Sequence, residues 1–190
     1  MDSANLFNTY HNHIQLDKVR EYCLAHGERA VYARGEEFVT QGKIGKYLAF
    51  IESGLFTYTT RKSSGEEAVC GFAFGGEYVT DFNNAYLHRP SQVSIIAVKE
   101  SVVFRLTNEQ VKTFTDTEFP DFYLEATNAL YQMVYERYID LYRYTPAERY
   151  AMLLENYPDL FKEVPLQDIA SFLLISPTHL SRIRKNLVKK

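Results

Sequence analysis

Thr178, His179, Ser181, Arg182 and Lys185 stand close together in the run "DIASFLLISPTHLSRIRKN", residues 168–186. On a helix that turns Leu180 and Ile183 inward, those side chains point outward. Chemically they form a hydrogen-bonding and cationic set. Arg and Lys donate to guanine O6 and N7 or to phosphate oxygens, while Thr, His and Ser reach base edges or the backbone. Ser176 is placed to cap such a helix, and Pro177 suits its first turn. From Pro177 onward the chain carries Arg182, Arg184, Lys185, Lys189 and Lys190 and no acid, although its net charge is −3. A solvated helix end presents the same charges. Two readings therefore stand at this point: a nucleic-acid reader, and a helical hairpin with a merely wetted face.

Other chemistries find less support. Between Val31 and Leu106 the sole histidine is His88, whereas a metal enzyme on a β-barrel draws several histidines and a carboxylate from neighbouring strands. Two cysteines, Cys23 and Cys70, are too few for a disulfide frame, a zinc site or the roughly four ligands of an iron–sulfur cluster. His11 and His13 read as a surface pair. No nucleophile–base motif or phosphate-gripping glycine loop is present. The expectation is a protein that is not an enzyme, with no metal and no cofactor. No apolar run nears the roughly 18 residues that span a bilayer, and "MDSANLFNTYHNH" lacks the pattern of a signal peptide. A cytoplasmic protein with reduced thiols and no membrane partner is expected.

The elements that must position these residues are legible from periodicity. Residues 6–27 carry a helical pattern with Leu16, Val19, Tyr22 and Cys23 on one face. From about Ala30 the texture changes to short apolar runs punctuated by glycine. "YLAFIESG", "LFTYTTR", "EAVCGFAF" and "SQVSIIAVKESVVFRL" read as strands, and "RKSSGEE" as a hairpin tip. A short helix begins at Thr107 or Asn108, and one of about six turns begins near Pro120. The long helix is apolar on two sides: Tyr131, Val134, Tyr138 and Leu141 form one stripe, Ala126, Leu130 and Met133 another. It must cover its own domain and something else, either a second copy of the chain or the helices that follow. Thr145, Pro146 and Glu148 open a further helix with a capping box. The division is residues 1–143, β-rich with the long helix, and 144–190, helical.

In that last part Ile169, Ala170, Leu173, Ile175, Leu180 and Ile183 have the spacing of a helix-turn-helix, with Ala170 letting the two backbones approach. Leu174 occupies the turn position that often holds glycine, and a positive φ there would strain it.

This layout resembles the Crp–Fnr family of bacterial transcription factors, most closely in "VPLQDIASFLLISPTHLSRIRKNL" and less closely in "FAFGGEYVTDF" and "IIAVKESVVFRL". The resemblance implies an α+β fold class: a double-stranded β-helix (a cupin-like jelly-roll) with flanking helices, a dimerisation helix over about 120–143, and a small all-α helix-turn-helix domain. It implies double-stranded DNA and a second copy of the chain as partners, with RNA polymerase a further one. It also places Thr178, His179, Arg182 and Lys185 on the DNA-facing side, Arg182 matching the base-reading arginine. Pro177 and Thr178 depart from the family's frequent charged residue, and the β-hairpin wing that follows this helix in many relatives is expected to be missing or supplied by some other segment. In cyclic-nucleotide binders of the family a Gly-Glu pair takes the ribose and an Arg-Ser pair the phosphate. Gly76 and Glu77 match the first pair, but Ser91 and Gln92 stand at the second, and Arg89 lies two residues early. Met133 and Val134 stand in the long helix where relatives offer polar groups to the base. The implied effector pocket is thus Gly76, Glu77, Arg89, Ser91, Gln92 and Met133, with cyclic AMP disfavoured and a different small effector, or none, in its place. The competing function is a ligand-binding or protein-interaction β-roll without sequence-specific DNA binding.

Overall fold

The computed structural model describes residues 8–158 and 160–187. A 3-10 turn, Thr9–Asn12, leads to α1 (Asp17–His26). The strands are β1 (Glu28–Tyr32), β2 (Glu37–Val39), β3 (Tyr47–Ser53), β4 (Leu55–Arg61), β5 (Glu67–Phe74), β6 (Tyr78–Val79), β7 (Ser94–Ala97) and β8 (Ser101–Thr107), with the short α2 (Phe82–Tyr86) between β6 and β7. They pair as two four-stranded antiparallel sheets, in the orders β1-β8-β3-β6 and β2-β7-β4-β5. This is the expected jelly-roll. The helices α3 (Asn108–Thr117), α4 (Phe122–Arg143), α5 (Pro146–Asn156), α6 (Leu160–Glu163), α7 (Leu166–Phe172) and α8 (Pro177–Leu187) complete the α+β architecture.

Strand β3 shows why the sequence lacks clean alternation there. Ala49 and Ile51 face the inter-sheet core with Tyr32, Phe38 and Phe56, while Leu48 and Phe50 face α1, α3 and the first half of α4. A strand covered on both sides reads as a continuous apolar run. The helix starts follow their caps. Thr107 accepts from the Gln110 amide as Gln110 reaches back, and Thr145 does the same with Glu148, with Pro146 in the first turn. Gly54 turns β3 into β4 at φ +124, where a Cβ would stand 2.2 Å from the Ser101 hydroxyl. The N-terminal reading needs one correction. Helix does not run continuously from 6 to 27: among the described residues it is the 3-10 turn and then α1, because the chain between them stretches along α4 and the sheet edge. Residues 6 and 7 lie outside the described residues.

The β4–β5 hairpin carries a bulge with consequences for the whole molecule. Tyr58 pairs with Gly71 and Thr59 with Val69, so Cys70 is the extra residue. A bulge flips the alternation locally, and Val69 and Phe72, three positions apart, end on one face. That face is the floor of the C-terminal helices. Leu55, Val69 and Phe72 share a single core with Tyr150, Leu153, Leu160, Ile169, Leu173 and Leu180. Val69 N–H donates to Ser171 Oγ (3.0 Å), Phe172 packs on Phe72 (5.5 Å between ring centres), and Tyr157 stacks on Phe74 at 4.7 Å. The sequence pattern gave no sign of this docking.

Leu174 is held at φ +59 and is 69% exposed, so its backbone strain is not offset by packing. Leu174→Gly is expected to raise unfolding free energy by about 0.5–1 kcal/mol, read by urea denaturation. An unchanged or lower midpoint would show that the turn carries no strain.

Candidate nucleic-acid interface and effector cavity

The helix-turn-helix is built as its sequence indicated. Ile169 and Ala170 are fully buried, Leu173, Leu180 and Ile183 close the core beneath α8, and Ile175 packs against its edge. The Ile175 amide donates to the Ala170 carbonyl (3.0 Å), which closes the turn. Ser176 Oγ accepts from the His179 amide at 3.2 Å, the cap expected of it. Arg149 secures the turn from outside by donating to the Leu173 carbonyl (3.0 Å). With both faces of the hairpin so fixed, Ser176, Thr178, His179, Ser181, Arg182 and Lys185 are all exposed. No ion pair to Arg182, Arg184 or Lys185 occurs among the described residues. The result is a rigid, cation-bearing surface whose donors are not used internally. Val188, Lys189 and Lys190, where the basic run continues, lie outside the described residues.

The expected effector residues do not come together as a pocket. A cavity of about 520 Å³ lies between α4, the N-terminal turn, α1 and the inner edge of the hairpin. Met133 lines it, while Gly76, Glu77, Arg89, Ser91 and Gln92 do not. Ser91 is buried and spends its hydroxyl on Val93, donating to the carbonyl (2.7 Å) and accepting from the amide (3.1 Å). Arg89 follows His88, whose φ of +50 turns the chain out of α2, and it points to solvent with Gln92. Gly76 forms the turn into β6 at φ +88.

Glu77 is buried, but its carboxylate serves the protein's own N-terminus. Asn8 Nδ2 donates to Glu77 Oε2 and to the Phe72 carbonyl (3.1 Å), and the Phe74 amide donates to the same carboxylate oxygen at 2.8 Å. His11 Nε2 faces Oε1 at 3.8 Å, buried and without a hydrogen bond among the described residues. Desolvation raises the carboxyl to about 7 against the lowering pull of the Phe74 and Asn8 bonds, and burial pushes the His11 imidazole down. Of the two histidines read as a surface pair, His13 is exposed and His11 is half-buried. They bridge the β-roll to α4, His11 opposite Glu77 and His13 opposite Glu136 (3.8 Å). Glu77, the residue the resemblance assigns to a ribose, is thus engaged by Asn8.

Sequence reading also missed polar residues that line this cavity. Tyr10, Tyr58, Tyr78 and Arg137 are among them, with the Tyr58 and Tyr78 hydroxyls donating to the Thr80 and Leu16 carbonyls and Arg137 to the Cys70 carbonyl. Arg137 sits on the same helical face as Met133, one turn on, which is the signal that could have found it.

Residues 29–118 match the family model of the cyclic nucleotide-binding domain. No curated protein sequence matches the chain. Among solved structures, FixK2 from Bradyrhizobium japonicum superposes with a TM-score of 0.71 at 14% identity, covering 86% of this chain and 85% of that one. The c-di-GMP-responsive global regulator CLP of Xanthomonas campestris gives 0.62 at 19%, covering 92% of each. The catabolite activator protein of Thermus thermophilus gives 0.54 at 19%, covering 95% of this chain and 87% of its own. The resemblance read from the sequence is thus borne out at the level of fold: residues 29–118 are similar to the cyclic nucleotide-binding domain, and from that β-roll through the long helix to the C-terminal helices the chain shares the fold of these Crp–Fnr-type regulators.

Proposed function

We propose that the protein is a homodimeric, DNA-binding transcription regulator whose helix α8 reads a roughly palindromic operator, under the control of a small effector other than cyclic AMP. One observation carries this reading: α8 exposes a contiguous cationic and hydrogen-bonding face on a hairpin locked by its own core. A merely solvated hairpin needs no such rigid presentation. In the division at residue 143, the first part senses and the second reads. RNA polymerase, and a cytoplasmic location, are what such a role implies; no helix among the described residues is long and apolar enough to cross a membrane.

The exposed side of α4 supports the second copy. Ala126, Ala129 and Met133 are buried against the β-roll, whereas Tyr131, Val134, Tyr138 and Leu141 are 41–66% exposed along the other side. An apolar stripe of this length at helical spacing suits a parallel partner. Two α8 helices would then enter successive major grooves about one helical turn apart. Selection from genomic fragments followed by footprinting is the direct test, and protection of two symmetric half-sites is expected. Protection of one half-site, or of none, would overturn it. Val134→Glu is expected to weaken self-association at least about tenfold in sedimentation equilibrium, because a carboxylate must be desolvated in the seam.

A further inference from the structure

His11 Nε2 is the one buried side-chain nitrogen or oxygen without a hydrogen bond among the described residues. It faces Glu77 Oε1 at 3.8 Å. The other carboxylate oxygen, Oε2, accepts from Asn8 Nδ2 and from the Phe74 amide (2.8 Å). With two N–H donors on Oε2, a proton on the carboxyl belongs on Oε1, where it points at the orphan nitrogen. The neutral acid can then satisfy the whole cluster, Oε1–H closing on Nε2 while His11 keeps its own proton on Nδ1. The carboxylate instead sets a charge beside an imidazole lone pair, in a site too buried to hydrate it. Burial raises the carboxyl to about 7 and lowers the imidazole, so the change of state falls near neutrality.

The same cluster holds the floor beneath the C-terminal helices. Asn8 Nδ2 also donates to the Phe72 carbonyl (3.1 Å), so the backbone at Phe72 and at Phe74 is tied to Glu77 and its N-terminal partner. The Phe72 ring packs on Phe172 of α7 at 5.5 Å, and the Phe74 ring stacks on Tyr157, at the end of α5, at 4.7 Å. We propose that Glu77 and His11 form a proton-operated clasp: closed in mildly acidic solution, it fixes α5 and α7 on the β-roll, and loss of its proton loosens them. The proton is an input to the docking of these helices, independent of any effector and of DNA reading. Tyr10 on the N-terminal turn, Tyr58 on β4, Tyr78 on β6 and Tyr157 also face the pair, and burial raises all four phenols, which stay neutral through the change. His13 and Glu136 of α4 meet at the other end of the turn (3.8 Å), where both are more exposed.

Amide hydrogen exchange of the full chain at pH 6 and pH 8, resolved by NMR and corrected for the intrinsic pH dependence of exchange, tests the clasp. Two amides report it: Phe74, which donates to Glu77, and Val69, which donates to Ser171 Oγ of α7 (3.0 Å). In the wild-type protein both are expected to lose protection about tenfold between pH 6 and pH 8, since only the closed state keeps the carboxyl above its ordinary range. At pH 8 both should exchange at least about tenfold faster than the β3–β8 ladder, because the helices loosen while the roll stays folded. Glu77→Gln, whose amide presents an N–H to His11 at every pH, is expected to hold both within about twofold of their pH 6 values. His13→Gln is expected to respond as the wild type does. Equal protection at the two pH values, exchange of Val69 no faster than the ladder at pH 8, or a pH response that survives Glu77→Gln or vanishes in His13→Gln would each overturn the proposal. The wild-type comparison needs no variant to fold, and no DNA enters it, so failure of the DNA-reading function is separately visible.

Discussion

Arg182→Ala together with Lys185→Ala is expected to weaken operator binding by about two to three orders of magnitude while leaving thermal stability unchanged within about 0.5 kcal/mol. Both side chains are exposed on α8, and neither has an ion-pair partner among the described residues, so the fold loses nothing when they go. A bidentate arginine–guanine contact discriminates by about 1–3 kcal/mol, and each lost phosphate contact lowers the salt slope by about one. In a dimer each substitution counts twice. Fluorescence anisotropy across a salt series separates the two contributions. Arg182→Ala alone should relax sequence preference, and Lys185→Ala alone should flatten the salt dependence. Unchanged affinity in the double variant would return α8 to the status of a wetted hairpin and leave the β-roll as an interaction module.

The second large effect concerns Glu77 and pH. Its carboxyl is held at about 7 in the folded protein, above the ordinary 4.5 of an unfolded glutamate. Between those values the native state keeps a proton that the unfolded chain has released, so stability falls as pH rises through the window and is flat on either side. The full loss is about 3 kcal/mol at most. His11 acts in the opposite sense: burial lowers its imidazole, so the native state resists protonation and stability falls as pH drops below the unfolded histidine range. Glu77→Gln isolates the carboxyl. The amide oxygen can accept from Phe74 and Asn8 as the carboxylate does, and its NH2 group faces the unpartnered His11 Nε2. Urea denaturation should find the variant more stable than wild type by about 1–3 kcal/mol at pH 8 and no more stable at pH 4. Parallel profiles would mean that Glu77 is solvated and that the Asn8 clasp does not form.

The match between reading and structure follows the range of the interactions. Caps and strands are local, and Thr107, Thr145, Ser176 and the runs that became β4 and β5 were fixed by neighbours a few residues away. The α4 stripes were legible for the same reason: two apolar sides on one helix demand two covers, and the buried side proved to be the β-roll. The positive φ at Leu174 was anticipated from turn geometry alone.

The effector region shows where that legibility stops. Family spacing nominated Gly76, Arg89, Ser91 and Gln92, yet side-chain direction there depends on one turn at His88 and a hydroxyl spent on Val93. The partner of Glu77 lies 69 residues upstream, at Asn8. Arg137 meets the Cys70 carbonyl at the β5 bulge and the Phe172 ring, in two other elements. The sequence alone determined the elements, their caps and the outward chemistry of α8, because these rest on contacts within a turn or two of helix or one strand's alternation. Only the tertiary structure decided which charges are buried, what Glu77 and Arg137 touch, and how the helix-turn-helix docks on β5. Each of those depends on chain segments brought together from far apart, and desolvation exists only once they meet.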